Sequence, residues 1–121
     1  MTEKPSISVI DDDATVRDAL GSLLDALGYP VRTFASADEF IEREGATGTA
    51  CLITDVQMPG MNGCELMEHL SRSGSAIPTI LVSAYSHDAL RSRALRSGAI
   101  AWLDKPVRQD DLLASIERAT H

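Results

Sequence analysis

Five short apolar runs alternate along the chain with five stretches of helical period. The runs cover residues 6–11, 30–34, 50–54, 79–82 and 100–103. Each is largely apolar rather than strictly alternating, which predicts strands buried on both faces of a parallel sheet. Between them, Val16, Leu20, Leu23, Leu24 and Leu27 form a stripe that Gly28 closes as a C-cap. Phe40 and Ile41 anchor a second helix with Ser36 as its expected cap. Leu66, Met67 and Leu70 predict the inward face of a third helix. Leu90, Ala94 and Leu95, closed by Gly98, predict that of a fourth. Leu112, Leu113 and Ile116 predict that of a fifth.

A strand–helix repeat with right-handed crossovers implies one open α/β sheet, helices on both faces, in a single domain over residues 1–121. A closed eight-unit barrel would need about 250 residues and is excluded. Among doubly wound orders, 2-1-3-4-5 is the general rule that suits five strands, and such sheets bind ligands at the carboxyl ends of the strands where the order reverses. That point falls between the first and third strands, which end in "VIDDD" and "ITD". The fourth ends at Ser83 and the fifth runs into Lys105, so every candidate polar group gathers on one edge.

Composition narrows the functional classes. Of 121 residues, 44% are hydrophobic, enough for a full core and against disorder. The longest apolar runs are a few residues, far short of the roughly 20 a membrane span requires. The MTEKPS start has no apolar segment of a secretory signal, so a cytoplasmic location is expected. A net charge of −7 argues against nucleic-acid binding by this domain. Cys51 and Cys64 have no metal-ligand spacing and read as small buried thiols.

The edge brings Asp11, Asp12 and Asp55 into one pocket. Like charges about 4 Å apart repel by roughly 4 kcal/mol at an effective dielectric near 20, so such a crowd calls for a cation. Hard oxygen donors suit Mg²⁺, and Lys105 adds a fixed positive charge. Carboxylate, divalent cation, lysine and the Ser83 hydroxyl make a constellation for phosphoryl transfer, in which a carboxylate can itself be the nucleophile. Taken singly, each signal is bland. Asp12 or Asp13 can be a helix cap, Ser83 a strand end, Lys105 a turn residue and Trp102 a core aromatic. Their shared placement carries the inference.

The motifs "VIDDD", "LITDVQMPGMNG", "ILVSA" and "WLDKP" resemble, in order and spacing, the receiver domain of bacterial two-component response regulators, over about residues 6–119. The likeness is to FixJ-type receivers, often followed by a LuxR-type DNA-binding domain. It implies a (βα)5 flavodoxin-like fold. It implies Asp55 as phosphoacceptor, served by a sensor histidine kinase, and Mg²⁺ held by Asp11, Asp12, Asp55 and the Gln57 carbonyl. Ser83 and Lys105 would contact the phosphoryl group, with a cis bond from Lys105 to Pro106. Ser83 and Trp102 would form the switching pair. Val107 stands where the family commonly has Phe, and Trp102 where it usually has Tyr or Phe.

Two rival classes share part of this pattern. A haloacid-dehalogenase-type phosphatase needs a second acid two residues after its nucleophile, where this chain has Gln57. A receiver-like binding module acting without phosphorylation usually lacks a pocket residue, and none is missing. Arg91, Arg93 and Arg96 crowd the expected fourth helix, while Asp110, Asp111 and Glu117 lie on the fifth. Pairing across a homodimer through helix 4, strand 5 and helix 5, or two solvated faces, both fit that pattern.

Overall fold

The computed structural model describes residues 4–85 and 87–121. The first three residues of MTEKPS, and Ser86, lie outside them. The elements alternate without exception: β1 (Ile7–Ile10), α1 (Ala14–Ala26), β2 (Val31–Phe34), α2 (Ala37–Glu42), β3 (Cys51–Asp55), α3 (Gly63–Arg72), β4 (Thr79–Ser83), α4 (Asp88–Arg96), β5 (Ala101–Asp104) and α5 (Gln109–Thr120). All pairings are parallel and the order is β2-β1-β3-β4-β5, as expected.

Alternate residues of the strands serve two layers. Ile7, Val9, Ile53, Ile80 and Val82 pack against Leu20 and Leu24 of α1 and Leu112 and Ile116 of α5. On the opposite face, Ile10 and Leu52 meet Phe40 of α2 and Leu66 and Leu70 of α3. Further along that face, Leu81 and Trp102 meet Cys64 of α3 and Ala94 of α4. The three inner strands are therefore buried throughout and mostly apolar, because neither face sees water.

Local chemistry starts and stops the helices. Asp13 caps α1 by accepting from Thr15 N and Val16 N, and Ser36 caps α2 through Glu39 N. Asn62 and Glu65 form a reciprocal capping box at the start of α3. Gly28 takes the left-handed conformation after α1, at φ +89°.

Two expectations need correction. β2 is an edge strand, with Arg32 and Thr33 exposed, so it is not buried on both faces. Leu95 does not point inward; it is 39% exposed, on the outer side of α4. Ala94, its neighbour, fills the inward position because it stands on the helix face turned to Leu81 and Trp102.

Candidate functional site: an acid pocket at the strand ends

Asp55 is the last residue of β3, paired in register with Val82. Asp11 follows β1 directly, and the two strands are neighbours, so the sheet sets their carboxylates side by side. Both are buried, at 5% and 2% exposure. Asp12 is exposed, yet one oxygen from each of Asp11, Asp12 and Asp55 lies within 4.8 Å of the others. Three convergent carboxylates of hard oxygen make a donor set fitted to a divalent cation such as Mg²⁺.

The cation already in the pocket is Lys105. Its ammonium donates to Asp11 Oδ2 at 3.0 Å and to Asp55 Oδ2 at 3.2 Å. The other oxygens are held by backbone: Asp13 N–H donates to Asp11 Oδ1 at 2.9 Å and Gln57 N–H to Asp55 Oδ1 at 3.3 Å. Lys105 N–H bonds to the Ser83 carbonyl at 2.8 Å, which ties the loop after β5 to the end of β4. The Lys105–Pro106 peptide is cis.

Burial pushes the Asp55 carboxyl up from its ordinary value; the charge of Asp11 adds to this, and Lys105 offsets only part of it. Burial pulls Lys105 down, but its hydrogen bond to Asp11 and the charges of Asp11 and Asp55 outweigh this and leave the ammonium above its usual value.

Ser83 is buried at the end of β4. Its hydroxyl is engaged away from Asp55, with Gln57 Oε1 at 3.0 Å and the Tyr85 carbonyl at 2.8 Å as acceptors for its single proton. It also accepts from Tyr85 N–H at 3.1 Å. Trp102 is 7% exposed and packs among Val56, Cys64, Leu81, Ala94 and Ala99. Asp11, Asp12, Asp55 and Lys105 thus converge, while Ser83 stands at the margin in contact with Gln57.

Two contributions were not anticipated. The Gln57 side chain joins the pocket margin to Ser83; its residue type alone signals no such contact, because the two positions meet only through the β3–β4 pairing. Arg17 Nη1 donates to the Asp11 carbonyl at 2.7 Å. The chain carries no specific signal for it, because the contact reaches back across the helix cap.

An open parallel sheet in this order, with three acids and a lysine where the order reverses, defines a class, and residues 7–117 match the model of the response regulator receiver domain. The chain belongs to that family. Among its relatives, it is 38% identical over 119 residues to the transcriptional regulatory protein FixJ of Bradyrhizobium diazoefficiens, covering 98% of this chain and 58% of that protein. The response regulator protein TmoT of Ectopseudomonas mendocina is 38% identical over 113 residues, covering 93% of this chain and 51% of that protein. The solved response regulator StyR superposes with a TM-score of 0.88 at 38% identity, over 97% of this chain and 59% of that one. Full-length FixJ from B. japonicum does so with 0.87 at 37% identity, over 98% and 58%. The chain therefore spans a little over half the length of these relatives.

Proposed function

We propose that this receiver domain accepts a phosphoryl group on Asp55 from the phosphohistidine of a sensor kinase, and that the transfer uses Mg²⁺. The observation that carries the reading is the Lys105 ammonium between two buried carboxylates, 3.0 Å from Asp11 and 3.2 Å from Asp55. Asp11, Asp12, Asp55 and the Gln57 carbonyl would hold the cation. When bound, it neutralises charge on the carboxylates and on the phosphoryl oxygens.

In the transfer, a carboxylate oxygen of Asp55 forms the new bond to phosphorus as the phosphorus–nitrogen bond to the kinase histidine breaks. The electron pair leaves with the imidazole. Lys105 enters the transfer charged, because Asp11 and Asp55 raise its value above the ordinary one. It can thus stabilise the phosphoryl oxygens electrostatically. The Ser83 hydroxyl would exchange its Gln57 and Tyr85 acceptors for a phosphoryl oxygen, drawing the loop after β4 with it. Trp102, on the neighbouring strand, is the partner residue in the switch. The consequence is a population shift on the α4–β5–α5 surface, where exposed Leu95 stands with Arg91, Asp111 and Arg118 around one groove. That surface is the one to meet an output domain, a partner or a second copy. Arg93 contributes less to it than expected, since it pairs with Glu68 of α3 at 3.5 Å.

The domain is regulatory, and its chemistry is confined to its own phosphorylation and dephosphorylation. Among the described residues no helix is long and apolar enough to cross a membrane, and a cytoplasmic location accords with the kinase partnership.

The deciding experiment is incubation with acetyl phosphate and Mg²⁺ followed by intact mass measurement. Addition of one phosphoryl group is expected on the wild type and none on Asp55→Asn. No gain by the wild type would leave a receiver-like binding module acting without phosphorylation, and equal gain by the variant would put the phosphoryl group on a residue other than Asp55.

A further inference from the structure

Arg17 lies in the second turn of α1, close behind Asp11, Asp12 and Asp13. Its N–H makes an early helical bond to the carbonyl of the capping Asp13, at 2.9 Å, where the helix presents partial positive charge. No acidic residue lies within that first turn, and the capping Asp13 carboxylate is engaged with Thr15 N and Val16 N. The side chain instead turns back past the cap, and Nη1 donates to the carbonyl of Asp11.

That carbonyl lies just beyond β1, outside the strand pairings. It belongs to a residue only 2% exposed, and an unpaired backbone oxygen there would be costly. Among the described residues, Arg17 supplies its hydrogen bond. Asp11 is consequently held from three directions: by Arg17 on its carbonyl, by Asp13 N–H on Oδ1 and by Lys105 on Oδ2. The carbonyl is part of the peptide plane joining Asp11 to Asp12, so fixing it fixes the directions from which both acids project.

We propose that Arg17 is a positioning residue for the cation site, presetting Asp11 and Asp12 by holding the peptide between them. The proposal rests on the reading of the acid pocket as a Mg²⁺ site. The charge of Arg17 acts in the opposite sense, repelling a cation, but the guanidinium is only half-buried and solvent screens it. The hydrogen bond acts at contact and dominates.

The test is Mg²⁺ titration, by calorimetry and by amide shifts at Asp12 and Gln57, of the wild type, Arg17→Met and Arg17→Lys. Loss of a partner that orients a metal ligand typically weakens binding by about tenfold, which is expected for Arg17→Met; Arg17→Lys, keeping the charge and one donor, should fall only about threefold. Melting without Mg²⁺ is followed in parallel, since a merely structural role would lower Tm and leave Mg²⁺ affinity unchanged. Affinity equal to or tighter than wild type in the folded variants overturns the proposal. Should Arg17→Met fail to fold, Arg17→Lys alone decides it by the same criterion. A wild type that binds no Mg²⁺ overturns the pocket reading itself, a different result from equal affinities.

Discussion

Gly63, the first residue of α3, is seated against the backbone carbonyl of Asp55: a Cβ at Gly63 would overlap that oxygen and come within 3.2 Å of Thr54 Cγ2. The helix start and the strand end that bears the proposed nucleophile are thus in backbone contact, and Gly63 N–H reinforces it through the Val56 carbonyl at 3.2 Å. Gly63→Ala should destabilise the fold by about 2 kcal/mol, within the range for overpacking, because a backbone oxygen cannot swing aside as a side chain can. It should also slow phosphorylation of Asp55. Denaturant unfolding and acetyl phosphate kinetics check the two effects; an unchanged midpoint would show that α3 can retreat freely.

The acid pocket makes stability depend on pH. Asp55 is raised above the ordinary carboxylate value of 3.8, so the folded state binds its proton more tightly than the unfolded state. Stability therefore falls as pH rises from that value through the raised native one. Asp55→Asn removes this loss. At pH 7 the variant should be more stable by about 1 kcal/mol, chiefly because a buried charge is removed and secondarily because repulsion from Asp11 is relieved, less the lost lysine contact. The gain should vanish below pH 3.8, and thermal melts across pH measure it.

Lys105 behaves oppositely. Its raised value means that its contribution is fully present below 10.5 and is lost as pH rises through the native value above that. Lys105→Met leaves Asp11 and Asp55 buried without their cation, an expected cost of about 3 kcal/mol at pH 7. Adding Asp55→Asn should recover part of that cost, and a double-mutant cycle by urea denaturation measures the coupling.

Mg²⁺ should raise the melting temperature. A ligand at a hundred times its Kd stabilises the folded state by about 2.7 kcal/mol if it binds only that state. Asp11→Ala and Asp12→Ala should each abolish most of the shift, as should excess chelator. A melting curve indifferent to Mg²⁺ would remove the cation from the reading.

Neither cysteine should be reactive in the native protein. Burial pushes the Cys51 thiol up to about 12 and also raises Cys64, which Glu68 raises further. Iodoacetamide at pH 8 should modify both thiols in urea and neither in buffer, read by intact mass.

The strand–helix alternation was legible in the chain because buried strands and amphipathic helices have different periods. The shared edge of Asp11, Asp55 and Lys105 followed from it once the strand order was taken from the general rule for such sheets, and the Ser36 cap was legible from residue type. The inner strands read correctly because both their faces are buried and mostly apolar. β2 did not, because an edge strand keeps enough apolar residues to look buried while Arg32 and Thr33 face solvent. Leu95 misled for a related reason. On a narrow helix stripe, adjacent Ala94 and Leu95 cannot both face inward, and hydrophobicity favours the wrong one.

By itself, then, the amino-acid order determined which residues would be acids and cations at the carboxyl edge of the sheet, since topology and side-chain type suffice for that. The tertiary structure decided how they are joined. Lys105 bridges two carboxylates, Ser83 is turned to Gln57 and Tyr85, Arg17 reaches back to Asp11, and Gly63 presses on Asp55. Each of these is a contact between different elements, or across a cap, at atomic distance. Periodicity reports the face on which a residue lies, but only packing sets the distance and direction at which two faces meet.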